Sequence, residues 1–586
     1  MVKWVFGIAM VGFAALAGFA YIGASSVKIP IPEVQAVVFD PYDQPLLSPY
    51  KLYRDALVTG DWITLENLAM LRDDYVAYRS ALTLTQQDFP ATQKVGYYRR
   101  LLELRPEEPL AKQEKSNLLL SYAQAAESAA YSDEAVRIYQ EALPSPEAIE
   151  GLKRLITDPY KLANLFLQAK RYTAALEALG GNAAPSIEGP AYNGLGDHNK
   201  SLTAYENWLA EDPSNQSAKL GAAWQHFYRG DYETADTLFG ELGGNEVLIG
   251  RALIARQKDD IDAAVSYLQQ SGTAEHLWLA SGYLEARDRY TDVLPIYMQL
   301  ANGGSSLSDD GAYRAYVLAT RLGDTQSAEA AKALLPTNSF FALKAGQPLS
   351  LNLGPQLSQT TSENIERAKL LSRVGDTDGA IGELLFALRR ATDPSDIVTL
   401  GEQLQALGEY HQSWRAATLL VDKGYTDIRL WRLSYPKAYA FEVESEAKRL
   451  GLEPALVWAI MRQESIFYPR AVSVSNAQGL MQVVPSTWDW LAELQKESPG
   501  DPFQVATNIR YGTFYLQWLS NYLQGDLELM MVSYNRGQGY IKRLFESPFV
   551  SGNKDDLYRE IDTLEAREYL QKVMMNYRIY KYLYPQ

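Results

Sequence analysis

The chain contains no cysteine and only four histidines in 586 residues. The missing cysteines exclude disulfides, thiolate nucleophiles, lipidation on cysteine and cysteine-rich zinc sites. The histidines are His198, His226, His276 and His411, so nothing beyond His411 can supply an imidazole. A Ser-His-Asp triad or a histidine-based metal site in the C-terminal part is thereby ruled out. Basic charge is also scarce. The formal net charge is −16, whereas a nucleic-acid binder needs a basic footprint. The acidic surplus lies mostly upstream, because the stretch from Phe441 onward holds 18 acidic and 15 basic residues. A partner of that stretch is not held mainly by charge. No metal, no cofactor and no nucleic acid is expected.

Hydrophobic residues at 47% and charged residues at 22% describe an ordinary globular chain. Its length is more than one core can hold, and two or three domains follow. Residues 1–26 carry Lys3 and then an apolar run from Trp4 to Ala24. That run suits an export signal and is just long enough, at about 20 residues, to remain as a membrane anchor. The chain is therefore expected to work outside the cytoplasm.

From 27 to 435 the sequence reads as one helix after another, with apolar residues recurring at three and four. A glycine, then an acid, then a small residue five positions after the glycine recurs. It appears as GDHNKS from Gly196, GDYETA from Gly230, GDTQSA from Gly323, GDTDGA from Gly375 and GEYHQS from Gly408. Weaker copies are DDIDAA from Asp259 and DRYTDV from Asp288. Most intervals lie close to the ~34 residues of a tetratricopeptide-like hairpin. Glycine ends one helix in the left-handed conformation, the acid favours the start of the next, and the small residue permits close approach. The fold class is all-α, a stacked helical superhelix, because no such hairpin buries its apolar face alone.

Beyond 435 the pattern changes. EPALVWAIMRQES predicts a helix begun by Pro454, with Leu456, Val457, Ile460 and Met461 available for burial. Pro469 disfavours helix at Tyr468, which puts Glu464 in or near the last turn. There the negative end of the helix dipole and any burial both raise the carboxyl pKa. A carboxyl that keeps its proton near neutrality can serve as a general acid. A surface glutamate at a helix end is the plainer alternative. Downstream come NAQGLMQVVPSTW, then DPFQVATNIRYGTFYLQWLSNYL with Leu516, Leu519 and Leu523 facing inward. LMMVSYNRGQG and TLEAREYLQKVMMNYRIYKYL complete the chain. Aromatics, amides and one protonatable acid suit a neutral or mildly charged sugar polymer.

Four ordered blocks carry a resemblance: ES at Glu464-Ser465, GLMQ from Gly479 to Gln482, SYNRGQG, and EAREY. DPFQVATNIRYGTFYL adds matching Asp-Pro, Asn-Ile, Gly and Tyr-Leu spacing. The region 440–586 resembles the lysozyme-like catalytic domain of the soluble lytic murein transglycosylases, and the upstream helices resemble that family's ring-shaped part in architecture. The resemblance implies cleavage of the β-1,4 bond between N-acetylmuramic acid and N-acetylglucosamine with a 1,6-anhydro product. It implies Glu464 as acid and then base, with Ser473, Gln482, Tyr534, Asn535 and Glu565 lining the glycan site. It also implies peptidoglycan strands as partner; the helical array itself suits cell-envelope protein partners, and the N-terminal run suits a place in the periplasm or cell envelope. Taken alone, Ser473 is a loop serine, Gln482 a turn cap, Tyr534 a core tyrosine, Asn535 a helix-end residue and Glu565 a solvated helix face. The chain departs from the family at Asn476, Val484, Arg536, Gln538 and Asp562, which bears on subsite preference.

Two other readings stand beside this one. A hydrolase on the same fold would use Asp489, Asp501 or Glu565 to activate water, since ordinary glycosidases need two carboxylates. A scaffold would use the superhelix as its working part and the C-terminal module as a glycan anchor.

Overall fold

The protein, seen in a computed structural model, is described at residues 40–104, 112–351, 353–354, 357–546, 558, 560–561 and 563–585. The expected export or anchor segment, 1–26, lies outside the described residues. Among the described residues the chain forms thirty-two α-helices and one short 3-10 helix, with isolated β-bridges but no strand. No described helix is long and apolar enough to cross a membrane.

The repeated pattern builds the hairpin turns. Gly196, Gly230, Gly323, Gly375 and Gly408 have φ of 76°, 81°, 75°, 84° and 86°, where a Cβ is disfavoured. The acid that follows does more than favour the dipole. Asp197, Asp231, Asp324 and Asp376 are N-caps whose carboxylates accept from the backbone amides of Lys200, Thr234, Ser327 and Gly379. Each cap satisfies a donor the helix itself cannot. The small fifth residue is the contact point: Ser201, Ala235, Ala380 and Ser413 are fully buried. Ser201 Oγ even donates to the Gly189 carbonyl of the preceding helix at 2.9 Å. In the weaker copies Asp259 and Asp288 take the left-handed position themselves, at φ 59° and 56°.

The array also closes. Helices Ser48–Thr59 and Tyr75–Thr85, near the start, share one apolar core with Glu363–Arg373 and Thr377–Arg390. Polar contacts seal the seam. Tyr50 Oη donates to Glu383 Oε1 at 2.7 Å, Arg367 Nε donates to the Leu46 carbonyl at 3.0 Å, and Arg79 pairs with Asp376 at 2.7 Å. A curved array whose two ends bond in this way is a ring.

Among the described residues, seven helices lie at the end of the chain: α1 (Ala440–Leu450), α2 (Pro454–Glu464), α3 (Pro485–Gln495), α4 (Val505–Tyr522), α5 (Leu527–Arg536), α6 (Gln538–Glu546) and α7 (Leu564–Leu583). Pro454 starts α2 as its first-turn residue. Six consecutive residues, Leu456 to Met461, are buried, so the middle of α2 is enclosed on all sides rather than on one face. Helix α7 packs along α2 and α5. Leu516, Leu519 and Leu523 of and after α4 are buried. This core does not stop at the ring. Ala312, Tyr313, Phe340, Phe341 and Tyr435 belong to the same apolar cluster as Ile460, Leu516 and Tyr569, and Tyr313 stacks on Phe341 at 4.6 Å.

Candidate active site

Helix α2 ends at Glu464, so the residue sits at the carbonyl end of its own helix. Part of the residue reaches the surface, while the carboxyl group itself is packed among protein atoms. Burial pushes its pKa up to about 7. The Tyr569 hydroxyl opposes that shift by donating to Oε1 at 2.6 Å, and the charge of Glu565 adds to it. A carboxyl held this way exchanges a proton near neutrality, which suits a group that gives a proton and takes one back. Arg462, two residues earlier, points elsewhere. It donates to the Ser434 carbonyl and to Asn576 Oδ1 and lies 4.0 Å over the Tyr435 ring.

The turn after the acid is strained. Ile466 and Phe467 have φ of 50° and 61°, a region that a β-branched residue seldom enters. Phe467 is fully buried and anchors the turn. Ser465 is buried, and its hydroxyl donates to the Leu480 carbonyl at 2.7 Å, tying the end of α2 to the loop 471–483. That loop is held by its own backbone, with isolated antiparallel bridges from Val472 to Gln478 and from Gln478 to Val483. Ser473 Oγ accepts from the Ala477 amide at 3.0 Å and so shapes the loop tip. Gln482, at φ 49°, donates its amide to the Ala471 and Gly479 carbonyls at 3.0 and 2.8 Å.

Asn508 of α4, which the sequence reading did not single out, clasps the same loop. It is 1% exposed, accepts from the Met481 amide at 2.8 Å, and donates to the carbonyls of Gln478 and Pro502 at 3.1 and 2.7 Å. Gly479, at φ 77°, leaves the space: a Cβ there would lie 2.1 Å from Asn508 Nδ2 and 2.3 Å from the Pro502 carbonyl. The matching Asn-Ile spacing was the signal for this residue.

Tyr534 lies in the last turn of α5 and donates its hydroxyl to the Met481 carbonyl at 2.8 Å. Burial first, and then the charge of Glu464, lift its pKa well above the ordinary value. Tyr515 packs against it with ring centres 5.2 Å apart. Asn535, next in the chain, is half-buried, and Glu565 is exposed in the first turn of α7. Tyr569 stands four residues after Glu565 and was missed as a site residue. Its signal is the i, i+4 spacing that puts both on one helix face. Two departures from the family pattern find local partners. Arg536 stacks on the Tyr540 ring at 4.8 Å, and Gln538 Oε1 accepts from Tyr515 Oη at 3.5 Å.

Asp489 and Asp501 are both exposed, and Asp501 accepts from the Phe503 amide in its own turn. A cavity of about 600 Å³ lined by Lys437, Glu444, Glu453, Trp458, Tyr580 and Lys581 opens at the other end of α2. Its lining residues on α2, Pro454 and Trp458, stand roughly 15 and 9 Å along the helix from Glu464.

Residues 442–556 match the family described as Transglycosylase SLT domain. Membrane-bound lytic murein transglycosylase C of Haemophilus ducreyi is 37% identical over 154 residues, covering 22% of this chain and 42% of that protein. A putative soluble lytic murein transglycosylase of Haemophilus influenzae is 27% identical over 245 residues, covering 41% of this chain and 40% of its own. The chain thus spans half or less of the length of these curated relatives. Among solved structures, the 70-kDa soluble lytic transglycosylase SLT70 of Escherichia coli superposes with a TM-score of 0.53 at 17% identity, over 91% of this chain and 96% of that one. A complex of the 70-kDa soluble lytic transglycosylase with bulgecin A gives a TM-score of 0.54 at 18% identity, over 92% and 97%. The segment 442–556 is therefore a transglycosylase SLT domain, joined to a helical ring in a chain that has the SLT70 fold.

Proposed function

We propose that the protein is a lytic transglycosylase acting on peptidoglycan glycan strands, with Glu464 as its one acid and base. The observation that carries this reading is a carboxyl buried at a helix end, hydrogen-bonded by Tyr569 and poised at about 7. In the protonated form Glu464 gives its proton to the glycosidic oxygen, and the C1–O bond to the leaving N-acetylglucosamine breaks. The muramoyl acetamido group stabilises C1. As carboxylate, Glu464 then removes the proton of the C6 hydroxyl, whose oxygen closes the 1,6-anhydro ring. No water enters and the acid is restored. An internal nucleophile removes the need for the second carboxylate that glycosidases employ. Ser473, Gln482, Tyr534 and Asn535 border the glycan, and Glu565 contacts substrate from the start of α7.

The same reading puts the working unit at 440–586 and the ring at 27–435. Residues 1–26 export the chain or hold it to the membrane, so that it works in the cell envelope. The names of the relatives, both murein transglycosylases, agree.

Glu565 gives a second reading some footing, since its charge acts on Glu464. As a base it would make the enzyme a hydrolase. Mass analysis of muropeptides from purified sacculi separates the two. Anhydro ends, lighter by one water and resistant to borohydride, are expected from the wild type and not from Glu464→Gln. Reducible ends from the wild type would establish the hydrolase, and anhydro ends from Glu464→Gln would remove Glu464 from its role.

A further inference from the structure

The Glu464–Tyr569 hydrogen bond joins the end of α2 to α7, and the ring grips both partners. On the α7 side, Glu565 and Tyr569 share one face, and Arg567 and Gln571 share the face about 200° away at 100° per residue. That second face is sunk into the ring. Arg567 is 6% exposed, and its guanidinium lies 4.4 Å over the ring of Trp278, on helix Ala274–Glu285. Asp310, on helix Ser308–Leu322, is 3% exposed. Its carboxylate stands 4.0 Å from Arg567 Nε and accepts from Gln571 Nε2 at 3.4 Å.

On the other side, the strained turn after Glu464 is met by His411, at the start of helix Tyr410–Val421. His411 Nδ1 is 3.1 Å from the Ile466 carbonyl, so that nitrogen carries the proton and donates. The imidazole packs on Tyr468 at 5.5 Å, and burial, aided by the charge of Arg415, holds its pKa below the ordinary value. Tyr439 Oη, just before α1, donates to the next carbonyl, Phe467, at 3.4 Å. Two successive left-handed non-glycine residues persist only where their surroundings impose them, and His411 is the part of that surrounding contributed by the ring.

We infer that the ring is a positioning element of the reaction: Asp310 and Trp278, through Arg567 and Gln571, and His411, through the Ile466 carbonyl, fix from two sides the geometry in which Tyr569 meets Glu464. The inference rests on Glu464 being the acid. None of these ring residues touches the reacting atoms, so each acts through another group. Loosening either grip lengthens the Tyr569–Glu464 contact, while the glycan-lining loop 471–483, tied to α2 through Ser465, keeps its own holds from Asn508 and Gln482. The cost therefore falls on kcat. Glu464 is faced by Tyr569 and Glu565 of α7 and by Tyr534 of α5. Because the Tyr569 hydrogen bond lowers its pKa, weakening that bond moves the alkaline limb of the rate profile to higher pH.

The test uses the full chain with His411→Ala, His411→Asn, Asp310→Ala and Asp310→Asn, measured on soluble glycan strands with thermal unfolding alongside. His411→Ala and Asp310→Ala are expected to lose about 10- to 100-fold in kcat, the scale of a reacting group misplaced by about 1 Å, with KM within about twofold and the alkaline limb raised. His411→Asn, which restores an N–H donor, is expected to recover most of the loss. Should Asp310→Ala unfold, Asp310→Asn keeps the shape and carries the measurement. Folded variants with wild-type kcat and an unmoved limb would overturn the inference, as would a loss confined to KM or a failure of His411→Asn to recover activity. An inactive Glu464→Gln beside wild-type-like ring variants sinks this inference alone, whereas an active Glu464→Gln sinks the reading beneath it.

Discussion

At the scale of single residues, the proton on Glu464 sets the behaviour of the site. Its pKa is raised to about 7 by burial, so the acid form dominates below that pH and the protonation step fades as pH rises through it. The rate on glycan strands is expected to show an alkaline limb near pH 7. Tyr569→Phe, which removes the hydrogen bond that lowers the pKa, is expected to shift that limb upward and to reduce kcat. A limb unmoved in Tyr569→Phe would mean that another group titrates there. The same shift has a stability consequence. A carboxyl whose folded pKa exceeds its unfolded value binds its proton more tightly when folded. Its stabilising contribution is complete below the unfolded value near 4.5 and is lost as pH rises through about 7. Glu464→Gln should therefore be more stable than the wild type at pH 8, by about 3 kcal/mol, with the difference vanishing at pH 4. Paired thermal melts at the two pH values measure it.

At the scale of elements, the loop 471–483 shows how a short motif becomes rigid without a strand. Gln482, Ser473 and Asn508 spend their hydrogen bonds on loop backbone, which sets where the carbonyl of Met481 meets Tyr534. Gly479 is required twice, for its φ of 77° and for the space that Asn508 and the Pro502 carbonyl already fill. Gly479→Ala is expected to cost about 2 kcal/mol or more in stability, since left-handed strain and a backbone clash act together. It should also lower activity by displacing Asn508. A denaturant melt within about 0.5 kcal/mol of the wild type would show that the loop gives way freely. The hairpin turns of the ring follow the same logic with other parts, a left-handed glycine followed by an aspartate cap.

At the scale of the whole molecule, the chain joins its first described helices to helices about three hundred residues later. Glu383 is the centre of that seam, 1% exposed and shared by Tyr50 at 2.7 Å, Arg367 at 2.8 Å and Asn364 at 2.8 Å. Removing it leaves Arg367 without its buried partner, and breaking such a pair costs about 3 kcal/mol or more. Glu383→Ala is expected to lower the unfolding temperature and to open the ring, read as a larger radius in solution scattering. Glu383→Gln still accepts from Arg367 and Asn364 through its one oxygen, with its amide nitrogen donating to Tyr50 Oη instead of accepting, and should lose less. Equal stability of the two variants would show that the seam relies on its apolar core instead.

The sequence by itself determined the local events: where helices stop at left-handed glycines, where aspartates start the next, that Glu464 lies in or near the last turn of α2, and that four blocks stand in family order. Those features depend on dihedral preference and hydrogen bonding among residues a few positions apart, and a linear string records them directly. Only the tertiary structure decided which hydroxyl meets the acid, since Tyr569 lies 105 positions from Glu464. It alone brought Asn508 to Gly479, Tyr50 to Glu383, and His411 to the turn behind the acid. Such pairings depend on how every intervening helix packs, and packing is a property of the assembled surfaces, which no single stretch of sequence contains.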